Sequence, residues 1–108
     1  MADSTTGLED NVAGLLCYLF GWLSGLIFFL IEKDSAYVKF HALQSLIFFG
    51  GLSVLSIIAP FVPLIGGLLG LALAVAGFVA WVLMMIKAYQ GEKFKLPVAG
   101  DIAEEQAG

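Results

Sequence analysis

The chain is short of charge, of cysteine and of histidine, and each shortage excludes something. Of 108 residues only five are Lys or Arg and nine Asp or Glu, and residues 11–31 and 40–86 contain none of these. A water-soluble domain of this size needs a polar surface that two such runs cannot supply, which argues against a soluble enzyme, a nucleic-acid-binding domain or a disordered tail. The net charge of −4 leaves no basic stripe for phosphates, so no nucleic-acid partner is expected. One cysteine, Cys17, cannot close an internal disulfide, and with the single His41 it cannot build a Cys/His metal cage. The sequence holds no nucleophile–base pair, metal set or phosphate loop, so neither an enzymatic activity nor a cofactor is expected. What it does hold is 60% hydrophobic residues and a mean hydropathy of +0.97. That is the composition of a small multi-pass membrane protein, read here as one domain over residues 1–108 with membrane lipid as its first partner.

A helix rises about 1.5 Å per residue and the hydrocarbon core is about 30 Å thick, so a span takes roughly 20 residues. Residues 12–31 qualify, with twelve Val, Leu, Ile or Phe side chains whose insertion terms sum to about −4 to −7 kcal/mol. Thr6 and Glu9 have the spacing of a capping box, and Asp10 adds charge to a first turn. The second run is too long for one helix. Pro60 lacks an amide donor and disfavours helix at the residue before it, so it predicts a stop there. The expected architecture is all-α: three transmembrane helices at about 12–31, 40–59 and 65–86, then a short amphipathic tail over 87–108. Residues 1–11 carry no Lys or Arg and no small-x-small cleavage site follows, so a removable secretory signal is not expected.

All five cations are lysines: Lys33, Lys39, Lys87, Lys93 and Lys95. With three spans they fall on one side of the membrane, which the positive-inside rule makes cytoplasmic. The expectation is therefore a cell-membrane protein with its N-terminus outside and its C-terminus in the cytoplasm. The tail alternates Lys93, Phe94, Lys95 and Leu96, a pattern suited to an anionic lipid surface.

In lipid, helices associate through close backbone approach and polar contacts rather than apolar transfer. The candidate packing residues are Gly21 and Gly25 in the first span, and Gly67, Gly70, Ala74 and Gly77 at 3-4-3 spacing in the third. They serve helix–helix contacts within the bundle, with a second copy, or with another membrane protein. Polar side chains gather at the start of the second span, where Tyr37, His41, Gln44 and Ser45 share one helical face. Lys87 and Tyr89 reach the same level from the end of the third. Polar groups at membrane depth point at the bundle or a cavity, so a network of His41, Gln44 and Tyr89 is expected.

The stretches Leu16-Cys17-Tyr18-Leu19-Phe20-Gly21-Trp22, Tyr37-Val38-Lys39-Phe40-His41-Ala42-Leu43-Gln44-Ser45 and Ile86-Lys87-Ala88-Tyr89-Gln90-Gly91-Glu92, with Leu96-Pro97-Val98 and Gly100-Asp101, resemble an uncharacterised family of small archaeal and bacterial integral membrane proteins. The resemblance covers about residues 9–105. It implies a three-span bundle and marks His41, Gln44, Ser45, Gly91 and Pro97 as recurrent positions. That family is in turn distantly similar to the membrane subunit of the chloroplast inner-envelope import translocon, Tic-twenty. The function expected is a non-enzymatic subunit or scaffold of a membrane complex, related through that likeness to protein translocation. The alternative is a small homo-oligomeric transporter or channel, with His41, Gln44, Ser53 and Ser56 along its path.

Overall fold

The computed structural model describes residues 7–96 and 98–107. Among them are five α-helices: α1 (Asp10–Leu19), α2 (Trp22–Ile31), α3 (Ala36–Ile58), α4 (Gly66–Tyr89) and α5 (Ala99–Ala107). A 3-10 turn, Ala59–Phe61, connects α3 towards α4, with Pro60 in its first turn. The helix stop expected at Pro60 is therefore where the chain places it. Helix α3 starts earlier than expected because Ser35 caps it, its side chain accepting from the Val38 amide at 3.2 Å. Together α3 and its 3-10 extension, and α4, are the two helices long and apolar enough to cross a membrane.

Residues 12–31 do not form the single span expected of them. The helix breaks at Phe20-Gly21, and α1 and α2 are only ten residues each, about 15 Å long. Gly21 has φ +61°, a backbone state that favours glycine because a Cβ would be strained there. The polar backbone groups freed by the break are met by side chains. Ser24 Oγ accepts from the Phe20 amide at 3.1 Å and donates to the Cys17 carbonyl at 2.9 Å. Trp81 Nε1 donates to the Tyr18 carbonyl at 2.7 Å, and Ser45 Oγ to the Gly21 carbonyl at 2.8 Å. Buried non-helical backbone needs such partners, and Ser24, Ser45 and Trp81 supply them here.

The two short helices run back on themselves. At the start of α1, Asp10 Oδ2 accepts from Ser35 Oγ at 2.9 Å. At the end of α2, Glu32 Oε2 accepts from the Asp34 and Ser35 amides, each at 3.0 Å. Both ends of the hairpin therefore meet α3 at Ser35, while its tip touches α3 near Ser45 and Phe49. Asn11 Nδ2 also donates to the Tyr89 carbonyl at 3.1 Å, so α1 starts where α4 ends. Of the expected capping box, Thr6 lies outside the described residues, and Glu9 occupies the N-cap of α1 without a side-chain cap bond.

Helices α3 and α4 are antiparallel, and α1 fills the space between their Ser35 and Tyr89 ends. The core there joins Ala13, Cys17 and Tyr18 of α1 to Val38, Ala42 and Phe49 of α3 and Ala80, Met84 and Ala88 of α4. After α4 the chain turns at Gly91 (φ +83°), the expected helix stop. The tail that follows packs on the bundle. It runs back along α3, where Leu96 is buried and Ala103 of α5 packs with Phe40 and Leu43.

Candidate functional site

The polar cluster expected at the start of the second span exists, with a different third member. His41 and Gln44 are both fully buried on α3. His41 Nε2 lies 3.0 Å from the Glu92 carbonyl oxygen, which can only accept, so Nε2 carries the ring proton. Nδ1 is then an acceptor, and the Tyr18 hydroxyl donates to it at 2.7 Å. Gln44 Nε2 donates to the Tyr18 oxygen and to the Phe94 carbonyl, both at 2.9 Å. Gln44 Oε1 accepts from the Leu96 amide at 2.8 Å. Every donor and acceptor in this set is matched with a neutral imidazole.

Three of these bonds reach backbone atoms of alternate residues, 92, 94 and 96. That is the period of an extended chain, whose successive peptide groups point to opposite sides. The arrangement is a clasp: side chains of α3, braced by Tyr18 of α1, hold the tail by its main chain. Around it the His41 ring meets Tyr37 at 4.7 Å, Phe40 at 5.1 Å and Tyr18 at 5.5 Å between ring centres, all edge to face.

The remaining candidates separate by place. The Tyr37 hydroxyl donates to the Ala88 carbonyl and ties α3 to α4 beside the clasp. Ser45 serves the hairpin tip instead. Lys87 pairs with the Glu92 carboxylate at 3.1 Å, helping to seat the start of the tail. The Tyr89 side chain is exposed and takes no part in the network; Tyr18 holds the position expected of it. Sequence reasoning passed over Tyr18 because it sits inside a charge-free run. The usable signal was its hydroxyl, which must find a partner at such depth. Pro97, a recurrent position of the resemblance, lies outside the described residues.

The small residues divide too. A Cβ on Gly25 would lie 2.7 Å from the Ala42 carbonyl oxygen, so α2 and α3 touch through backbone there. A Cβ on Gly77 would lie 2.6 Å from Leu52 Cδ2, and Gly21 shapes the hairpin tip. Gly67 and Gly70 have nothing within 4 Å of a built Cβ, and Ala74 is exposed. Among the described residues, Gly67 and Gly70 therefore meet no other helix, and Ala74 stands largely open at the edge of a groove. Because the hairpin ends halfway, a groove of about 470 Å³ opens above it between α3 and α4, lined by Phe49, Leu52, Ser53, Leu73, Gly77 and Trp81 among others. Ser53 and Ser56 border this groove, whereas His41 and Gln44 face α1 and the tail, so the four do not line one path.

Outside the spans, Lys95 pairs with Glu104 at 3.1 Å and with Asp101 at 3.6 Å. The hydrogen bond to Glu104, then its charge, holds the Lys95 ammonium above its ordinary range. The pair therefore holds through neutral pH, and on the alkaline side it is lost as the lysine deprotonates. At the hairpin base Asp10 is buried, and its Oδ1 has no hydrogen-bond partner among the described residues. Among the described residues no group of three or more His, Cys, Asp or Glu is placed to hold a metal ion.

With this geometry in hand, comparison with known proteins places the chain. Residues 8–103 match the magnetosome magnetite crystal formation protein family. The chain belongs to that family. It is also similar to proteins called UPF0132 membrane proteins. One from Methanocaldococcus jannaschii is 54% identical over 105 residues, covering 97% of this chain and 94% of the relative. One from Archaeoglobus fulgidus is 50% identical over 101 residues, covering 94% and 98% respectively. A second M. jannaschii protein is 47% identical over 98 residues, covering 91% of this chain and 70% of its own length. No solved structure matches. The matched residues run from the hairpin base to α5, so hairpin, clasp and docked tail all lie inside the family's unit. The relatives' names place the group in membranes, in agreement with the two long apolar helices here.

Proposed function

We propose that this protein is a non-enzymatic integral membrane subunit that assembles with copies of itself or with another membrane protein through the outer halves of α3 and α4. In this reading α3 and α4 cross the bilayer, and α1–α2 is a re-entrant hairpin entering from the side where α3 starts and α4 ends. The five lysines then stand at that one end, beside the loop before α3 and in the tail, and none stands in the connection between α3 and α4. By the positive-inside rule that end is cytoplasmic. A role in protein translocation would be one case of such a subunit.

One observation carries the reading. The hairpin fills only half the height of the α3–α4 pair, and beyond its tip Gly67, Gly70 and Ala74 stand open beside an apolar groove. Small residues on an uncovered transmembrane face allow another helix to approach closely. The matched hydrogen bonds of the clasp support a structural use of the buried polar residues rather than a chemical one. Native mass spectrometry after extraction in mild detergent tests the proposal. The expected result is an oligomer or a retained membrane partner, lost in Gly67→Leu/Gly70→Leu. A monomer alone under every gentle extraction would overturn it.

A further inference from the structure

The clasp is built for one protonation state of one side chain. His41 Nε2 faces a carbonyl, so Nδ1 must accept, and the Tyr18 hydroxyl is its donor. An imidazolium carries a proton on both nitrogens. Nδ1–H would then point at the Tyr18 oxygen, which already receives Gln44 Nε2–H at 2.9 Å. The Tyr18 proton would lose its only acceptor inside a fully buried site, and the new charge would stand unpaired beside it.

We infer that the Tyr18–His41–Gln44 clasp is an acid-released latch, which holds the tail over residues 92–107 on α3 while His41 is neutral and lets it go when His41 is protonated.

The surroundings of the ring set the direction of opening. From α1 it faces Tyr18, and on its own helix Tyr37 and Phe40. From the tail it faces the Glu92 carbonyl, while the Glu92 carboxylate is engaged by Lys87 of α4. Lys93 lies over the neighbouring Phe40 ring at 5.5 Å, a second positive charge on that side. Among the described residues no carboxylate is bonded to the ring, so nothing in place neutralises an imidazolium. Helices α1, α3 and α4 wall the site with core side chains. The segment from Glu92 to Lys95 is exposed, and lifting it brings water to the charge. The chain can lift there because Gly91, at φ +83°, forms the joint with α4. The tail's other hold on the bundle is apolar, through buried Leu96 and through Ala103 against Phe40 and Leu43, while the Lys95 pairs with Asp101 and Glu104 join one part of the tail to another.

The test is the mobility of a spin label on Glu105→Cys in the full chain in nanodiscs, followed from pH 8 to pH 4. Cys17 is fully buried and stays in place. The expected result is a restricted label at pH 8 and a several-fold rise in its mobile fraction on acidification. His41→Gln keeps a donor for Glu92 and an acceptor for Tyr18 but does not titrate, so its label should stay restricted throughout. Asp101→Asn/Glu104→Gln removes the competing acid-sensitive pairs and should retain the transition. A wild-type label that behaves the same at every pH overturns the latch. So does a transition that persists in His41→Gln or vanishes in Asp101→Asn/Glu104→Gln.

Discussion

Ser45 Oγ donates to the Gly21 carbonyl at 2.8 Å, and this bond ties the tip of the α1–α2 hairpin to the middle of α3. The other partners of the Gly21 carbonyl, the Ser24 hydroxyl at 3.2 Å and the Gly25 amide at 3.3 Å, lie farther off. Ser45→Ala removes the better donor from a site that water reaches poorly. The expected cost is about 1–3 kcal/mol, seen as a lower melting temperature in detergent, with Ser45→Thr retaining most of the stability. Gly21→Ala should cost more, because it adds a Cβ at φ +61°. Equal melting of Ser45→Ala and wild type would mean that the tip is not held in this way.

Gly25 lets α2 and α3 approach until backbone touches backbone. A methyl group there would meet the Ala42 carbonyl oxygen at 2.7 Å and Ser45 Cβ at 2.9 Å, neither of which is the end of a flexible side chain. Gly25→Ala should therefore destabilise by about 1–3 kcal/mol, the usual cost of overpacking. Gly67→Ala adds the same methyl into open space and should leave monomer stability unchanged. Thermal unfolding of the two variants side by side checks the contrast, and equal losses would contradict the fold.

A re-entrant hairpin makes a different topological prediction from three spans. Single cysteines at Glu9, Leu64 and Glu105 sample the hairpin base, the α3–α4 connection and the tail, while Cys17 is buried and protected. In intact cells an impermeant thiol reagent should label Leu64→Cys and spare the other two. Labelling of Glu9→Cys from outside would restore a first span that crosses the membrane.

The membrane character, the long helices, the stop at Pro60 and the pairing of His41 with Gln44 could be read from residues 11–90 alone. Each follows from local composition or from spacing on one helix. The hairpin could not, because twelve large apolar residues in 12–31 satisfy the span criterion whether the helix continues or turns back. What turns it back is Gly21, together with partners far along the chain: Ser45, Trp81 and Ser35. Glycine inside an apolar run has several uses, and only those contacts single out this one. The docking of the tail on α3 was illegible for a related reason. Lys93, Phe94, Lys95 and Leu96 alternate as a lipid-surface segment would, yet α3 holds them by backbone atoms, which no side-chain pattern reports.

That backbone grip gives the last prediction. Gln44 holds three bonds at once: to the Tyr18 oxygen, the Phe94 carbonyl and the Leu96 amide. Gln44→Leu keeps the bulk and removes all three. The Phe94 and Leu96 groups belong to a segment that can lift into water, so the loss should appear as local opening of the tail rather than unfolding of the bundle. Hydrogen exchange at the Leu96 amide should accelerate by on the order of 10- to 100-fold, the equivalent of about 1.4–2.8 kcal/mol for a lost buried partner. Amides in the middle of α3 and α4 should keep their protection. If the whole bundle loses protection together, the tail is a structural part of the fold and not a segment fastened onto it.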